Sequence, residues 1–178
     1  MFITYAVVLG LVAGALTGGR FERLGNLRFR WSWLALAGFA AQVVLFSGAV
    51  DDRLGGWGPA LYVGSTAIVL IAVLANLAIP GLPLVALGAA SNLAAIVANG
   101  GYMPTDPAAN ATAGIEPDGG FSNSVVSDAP ALRPLTDIFA IPEGVPLANV
   151  FSIGDVLIAV GIAIAIAVSM RRTAPEPT

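Results

Sequence analysis

Of the 11 acidic residues in this 178-residue chain, one stands inside a long apolar run. It is Asp155, in Val150-Phe151-Ser152-Ile153-Gly154-Asp155-Val156. A carboxylate in the first turn of a helix is favoured by the helix dipole and can accept backbone N–H groups. The same carboxylate, facing a pocket, can bind a ligand or exchange a proton. A second cluster, Asn99-Gly100-Gly101-Tyr102-Met103-Pro104, closes the preceding apolar run. Asn and Gly stop a helix there, because Gly permits left-handed backbone. Asp137, in Leu135-Thr136-Asp137, lies between the two clusters. The expected binding residues are therefore Asn99, Gly100, Gly101, Tyr102, Ser152 and Asp155. The candidate catalytic carboxylates are Asp155 and Asp137.

The remaining chemistry is narrow. The chain has no Cys, no His and no Lys, and all 8 basic residues are Arg. Disulfides, thiolate nucleophiles and Schiff bases are excluded, along with the commonest general base and metal ligand. No metal, cofactor or nucleic-acid partner is expected. Gln42, Asn76 and Asn92 lie inside apolar runs, where each is either an interhelical hydrogen bond or a functional group.

The elements that must position these groups are five apolar stretches: 2–17, 33–50, 59–79, 82–98 and 153–170. Each is close to the roughly 20 residues that a membrane-crossing helix needs. Hydrophobic residues make up 57% and charged residues 11%, against about 25% charged in soluble domains. The expected fold is an all-α integral membrane protein, a single domain over 1–178. Five transmembrane helices would form a bundle, with a long outer-face loop, 99–152, between the fourth and fifth. No positive segment precedes the first stretch, so a retained helix is expected rather than a signal peptide. Arg20, Arg23, Arg28 and Arg30 follow the first stretch, and Arg171 and Arg172 follow the last. The positive-inside rule then places the chain in a bacterial plasma membrane, N-terminus outside and C-terminus cytoplasmic. Trp31 and Trp33 would mark the inner interface, and Trp57, Tyr62 and Tyr102 the outer one.

The expected partners are the lipid bilayer and, through small-residue ridges, a protein. The ridges are Gly10-Gly14-Gly18, Ala86-Ala90-Ala94-Ala98 and Gly161-Ala165-Ser169, which equally suit packing within one chain. In the outer loop, Pro104 to Pro130 is rich in Pro, Gly, Asn and Ser and reads as extended or mobile. The stretch Leu132 to Pro142 reads as a short amphipathic turn or helix. Order is expected from about Leu132 to Ser152, docked on the outer helix ends.

The Asn99–Pro104, Leu135–Asp137 and Val150–Val156 motifs resemble the pattern of a bacterial family of small membrane proteins, domain-of-unknown-function family 5317. The resemblance covers most of the chain and implies a site at the outer face, with no activity attached. A second resemblance is to signal peptidase II, an aspartyl protease: Asp137-Ile138-Phe139 and Gly154-Asp155 echo its order. Ser152 stands where that motif has Asn, and Ser91-Asn92-Leu93-Ala94-Ala95-Ile96 has Ala in place of the other aspartate. Three functions follow as expectations. The first is a non-catalytic accessory, assembly or outer-face binding component. The alternatives are a signal-peptidase-II-like aspartyl peptidase and a small-molecule transporter component.

Overall fold

Glycine and proline punctuate the apolar sequence, and the helices begin and end at them. In a computed structural model that describes residues 2–47, 56–115 and 123–171, helix α1 spans Phe2–Leu16 and stops before Gly18, whose φ is 79°. Helix α2, Ser32–Leu45, follows Trp31 in left-handed conformation. Helix α3, Gly58–Leu74, carries Pro59 in its first turn, where the missing N–H costs nothing. Helix α4, Leu82–Ala98, starts after Gly81 at φ 90° and also has a proline in its first turn. Two short 3-10 helices lie at Phe21–Asn26 and Arg133–Leu135.

The connection 99–152 is a small mixed structure. Strand β1, Met103–Thr105, pairs in parallel with β2, Ser124–Val126, with Met103 opposite Ser124. Between them lies helix α5, Pro107–Ala113. Strand β3, Phe139–Ile141, runs antiparallel to β4, Asn149–Phe151, and the rings of Phe139 and Phe151 stack at 5.5 Å. Helix α6, Ile153–Ser169, closes the described chain.

The long helices pack in the order α1, α6, α4, α3, α2. The last helix therefore sits between the first and the fourth. The Gly10–Gly14 ridge of α1 lies against Ala163 and Ala167 of α6 and Met170 just beyond its end. Gly161 of α6 lies against the Gly81 carbonyl and Val85 of α4. The core is divided accordingly. One cluster joins Leu45, Tyr62, Ala95, Ile96 and Met103, and a second joins Val73, Leu82, Val85 and Ala86. A third, Ala109, Ala113 and Val150, holds the 99–152 segment together.

The expected membrane architecture needs correction. Among the described residues no helix is long and apolar enough to cross a membrane. The five long helices have 15, 14, 17, 17 and 17 residues. At 1.5 Å per residue the longest reach about 25 Å, against a hydrocarbon core of about 30 Å. The apolar runs overstate helix length because their ends are turns. Residues 75–81 are the clearest case, where α3 stops at Leu74. Asn76 there donates to the carbonyls of Arg30 and Ala72 and accepts from the Arg30 N–H. Its side chain is used up in pinning the segment before α2. The multipass topology and the plasma-membrane placement fall with the spans, and the fold is not all-α. Of the arginines invoked for orientation, Arg172 lies outside the described residues.

One local expectation in the connection also differs. Residues 107–113 form a helix where extended chain was expected. Asp106 caps it, its carboxylate accepting from the Ala108 and Ala109 N–H groups at 2.9 and 3.3 Å. The stretch Leu132 to Pro142, expected as a short amphipathic turn or helix, is a 3-10 turn followed by β3. Pro134 sits in the first turn of the 3-10 segment and Pro142 follows β3, and a helix tolerates proline only in its first turn.

Candidate functional site

The first turn of α6 builds the first half of the site. Ser152 is its N-cap, and Asp155 stands three residues on, so the two form a capping box. Asp155 N–H donates to Ser152 Oγ at 3.0 Å, and Ser152 N–H donates to Asp155 Oδ2 at 2.9 Å. Asn92, on the facing side of α4, adds a third member. Its Nδ2 donates to Asp155 Oδ1 at 2.9 Å. The Ser152 hydroxyl lies 2.9 Å from both Asn92 Oδ1 and Asp155 Oδ2. It has one proton to give. Donating it to Asn92 closes a ring of three side chains. Gly154 makes the ring possible, because a methyl there would overlap Asn92 Oδ1.

The second half comes from the 99–152 segment. Asp137 is held through its backbone beside β1. Its N–H donates to the Pro104 carbonyl, and its carbonyl accepts from the Asp106 N–H, each at 3.0 Å. The side chain is 9% exposed, and its Oδ1 has no hydrogen-bond partner. Burial, reinforced by the charge of Asp155, raises the Asp137 carboxyl to about 7.

The two halves face one cavity of about 230 Å³. It lies at the end of the helix row where α1, α3 and α6 begin and α4 finishes. Ile3, Ile96, Met103, Val150 and Phe151 supply its apolar wall. Tyr62, Asn92, Asn123, Ser124, Asn149, Asp137 and Asp155 supply polar groups. Burial raises the Tyr62 hydroxyl above its ordinary value, a hydrogen bond to Asn123 opposes the rise, and Asp137 and Asp155 add to it. Among the described residues that line the cavity, none is cationic.

The expected site residues divide by geometry. Asp137 and Asp155 line the cavity, and Ser152 orients Asp155 from a fully buried position. Asn99 does not line it. Its side chain exchanges two hydrogen bonds of 2.9 Å with the backbone of Ala131 and donates to the Ala95 carbonyl at 2.8 Å. That bond pair ties the connection to the end of α4 and sets the entry to Asp137. Gly101, at φ 91°, passes so close to Pro59 that no side chain fits. Gly100 and Tyr102 flank this crossing and do not line the cavity. Sequence reasoning did not select Tyr62, Asn123 or Asn149, which reach the cavity through the fold alone. Asn92 did carry a signal, an amide deep in an apolar run. Gln42, the other such amide, donates to Thr66 at 3.2 Å and joins α2 to α3.

Among the described residues no three carboxylate, imidazole or thiolate groups gather as a metal site. No curated protein and no solved structure matches the chain. A family of unknown function (DUF5317) matches residues 26–167, which include Asn92, Asp137, Ser152 and Asp155. The match covers well over half of the sequence, and the chain belongs to that family.

Proposed function

We propose that this chain is a non-catalytic binding protein that takes a small molecule into the cavity beneath the 99–152 segment. One observation carries the reading: Asp137, a buried carboxylate whose Oδ1 has no hydrogen-bond donor, lines a space walled on its other side by apolar side chains. A buried acceptor without a donor is costly, and a ligand donor removes the cost. The volume, about 230 Å³, lies below the roughly 300–1,000 Å³ of drug-sized sites. The occupant is accordingly small.

The aspartyl-peptidase alternative is less well supported. A catalytic dyad needs two carboxyl groups sharing a proton. Here both oxygens of Asp155 are engaged by Asn92 and Ser152, and Asp137 Oδ1 touches no donor. That is a binding arrangement, with one carboxylate fixed and one available.

A fragment library examined by ligand-observed NMR tests the reading. Small amphiphilic fragments should bind the native protein and lose binding in Ser124→Trp, which fills the cavity from β2 while the thermal transition persists. Fragments that bind both proteins equally would place binding elsewhere and overturn the proposal.

A further inference from the structure

We propose that the ligand is a small organic cation, a primary ammonium on a short apolar body, held with its N–H groups on the Asp137 carboxylate and its body on Ile96, Met103 and Val150. This rests on the binding reading above and names its ligand class. The argument is one of charge and satisfaction. Asp155 already accepts from Asn92 Nδ2 and the Ser152 N–H, so each of its oxygens has a donor. Asp137 Oδ1 is buried with no donor within reach. Both carboxylates face the same space with no positive side chain among its lining residues. An anion would be repelled. A neutral alcohol could donate to Asp137 but would leave the repulsion between the carboxylates in place. An ammonium answers both, since hydrogen bonds to ionised groups are about twice as strong as neutral ones. A bare metal ion fits poorly, because the space is far larger than an ion and, among the described residues, no third carboxylate, imidazole or thiolate joins the two carboxylates.

The groups that face Asp137 across the cavity are Asp155 on α6 and Tyr62 on α3. Tyr62 is held above its already high ordinary value and carries no charge near neutrality. Binding of a cation should therefore follow the ionisation of Asp137. It should strengthen about tenfold per pH unit up to about 7, then level off.

The experiment is calorimetric titration of the full chain with n-hexylammonium, 1-hexanol and hexanoate at about pH 8, above the Asp137 value. The ammonium should bind about 10- to 100-fold tighter than the alcohol, the range expected for a charge-assisted hydrogen bond. Hexanoate should not bind. Asp137→Asn, checked for folding by its thermal transition, should bind ammonium and alcohol alike, and the pH dependence should vanish. If alcohol or carboxylate binds at least as well as the ammonium, the cation assignment is overturned and the cavity reading stands. A preference that survives Asp137→Asn has the same meaning. If none of the three binds, the cation assignment is overturned, and if the fragment library also fails, the cavity reading falls with it.

Discussion

At the scale of single residues, Asp137 ties stability to pH. In the unfolded chain its carboxyl has an ordinary value, and in the folded protein it lies at about 7. Between the two, the folded chain holds a proton that the unfolded chain has released. Stability should therefore fall as pH rises from roughly 4 to about 7 and level off above. The span amounts to a contribution on the order of 4 kcal/mol. Asp137→Asn should flatten this slope and exceed the native protein in stability above about pH 7, as denaturant titrations at several pH values will read. A native stability that climbs through this window would contradict the assignment.

The ring around Asp155 gives a second residue-scale test. Asparagine caps helices about as well as aspartate, so capping alone makes Asp155→Asn nearly silent. Here both carboxylate oxygens accept, one from Asn92 Nδ2 and one from the Ser152 N–H. An amide at 155 must turn its own N–H groups toward one of these donors. Asp155→Asn should cost about 1–3 kcal/mol, the range for a buried polar group left unsatisfied. The exchange of both residues, Asn92→Asp with Asp155→Asn, restores one donor opposite one acceptor and should recover most of the loss. A double variant no more stable than the single one would refute the ring.

At the scale of elements, the contact of α4 with α6 depends on the absence of side chains. Gly154→Ala drives a methyl into Asn92 Oδ1, with the Gly88 carbonyl also close. It should destabilise by about 1–3 kcal/mol, as overpacking does. Gly64, in the middle of α3, has nothing within 4 Å of an added Cβ. Gly64→Ala should stabilise by about 0.5–1 kcal/mol, the ordinary helix preference of alanine. One substitution with two signs, read from thermal unfolding, separates the close crossing from the open face.

The limits of the sequence are clearest at this scale. The long helices lie where the apolar runs lie, within about one residue at most starts, because Gly18, Gly81, Pro59 and Pro83 mark turns by backbone chemistry alone. Their lengths were less legible. An apolar run does not say which of its residues are helical, and that difference removes the membrane spans. The α5 helix was readable in principle, since Asp106-Pro107 is a helix-start pattern. Asp155 and Asp137 announced themselves as carboxylates beside apolar sequence. Tyr62, Asn123 and Asn149 could not, because only the packing of α3, β2 and β4 brings them to the cavity.

For the whole molecule, the row of helices governs what can be buried. The outer members, α1 and α2, each have one main neighbour. Val8, Leu9, Val12 and Leu16 of α1 remain exposed, as do Leu36, Phe39 and Val43 of α2. Hydrogen exchange should therefore be slowest in α4 and α6 at the centre and faster in α1 and α2. Equal protection across all five would mean that the row does not describe the cooperative unit.

The place of α6 between α1 and α4 also sets an order of events in time. During synthesis α1 is made before the other described helices, and α6, its main packing partner, after them. The Tyr5 hydroxyl likewise waits for the Pro146 carbonyl that it binds. Until residues 152–169 emerge, Asn92 lacks the Ser152 and Asp155 partners of its ring, and the cavity lacks a wall. A nascent chain halted before Ser152 would present α1 and α4 to whatever else is nearby. The pocket is thus a late event, assembled when the final helix slots between two that have been waiting for it.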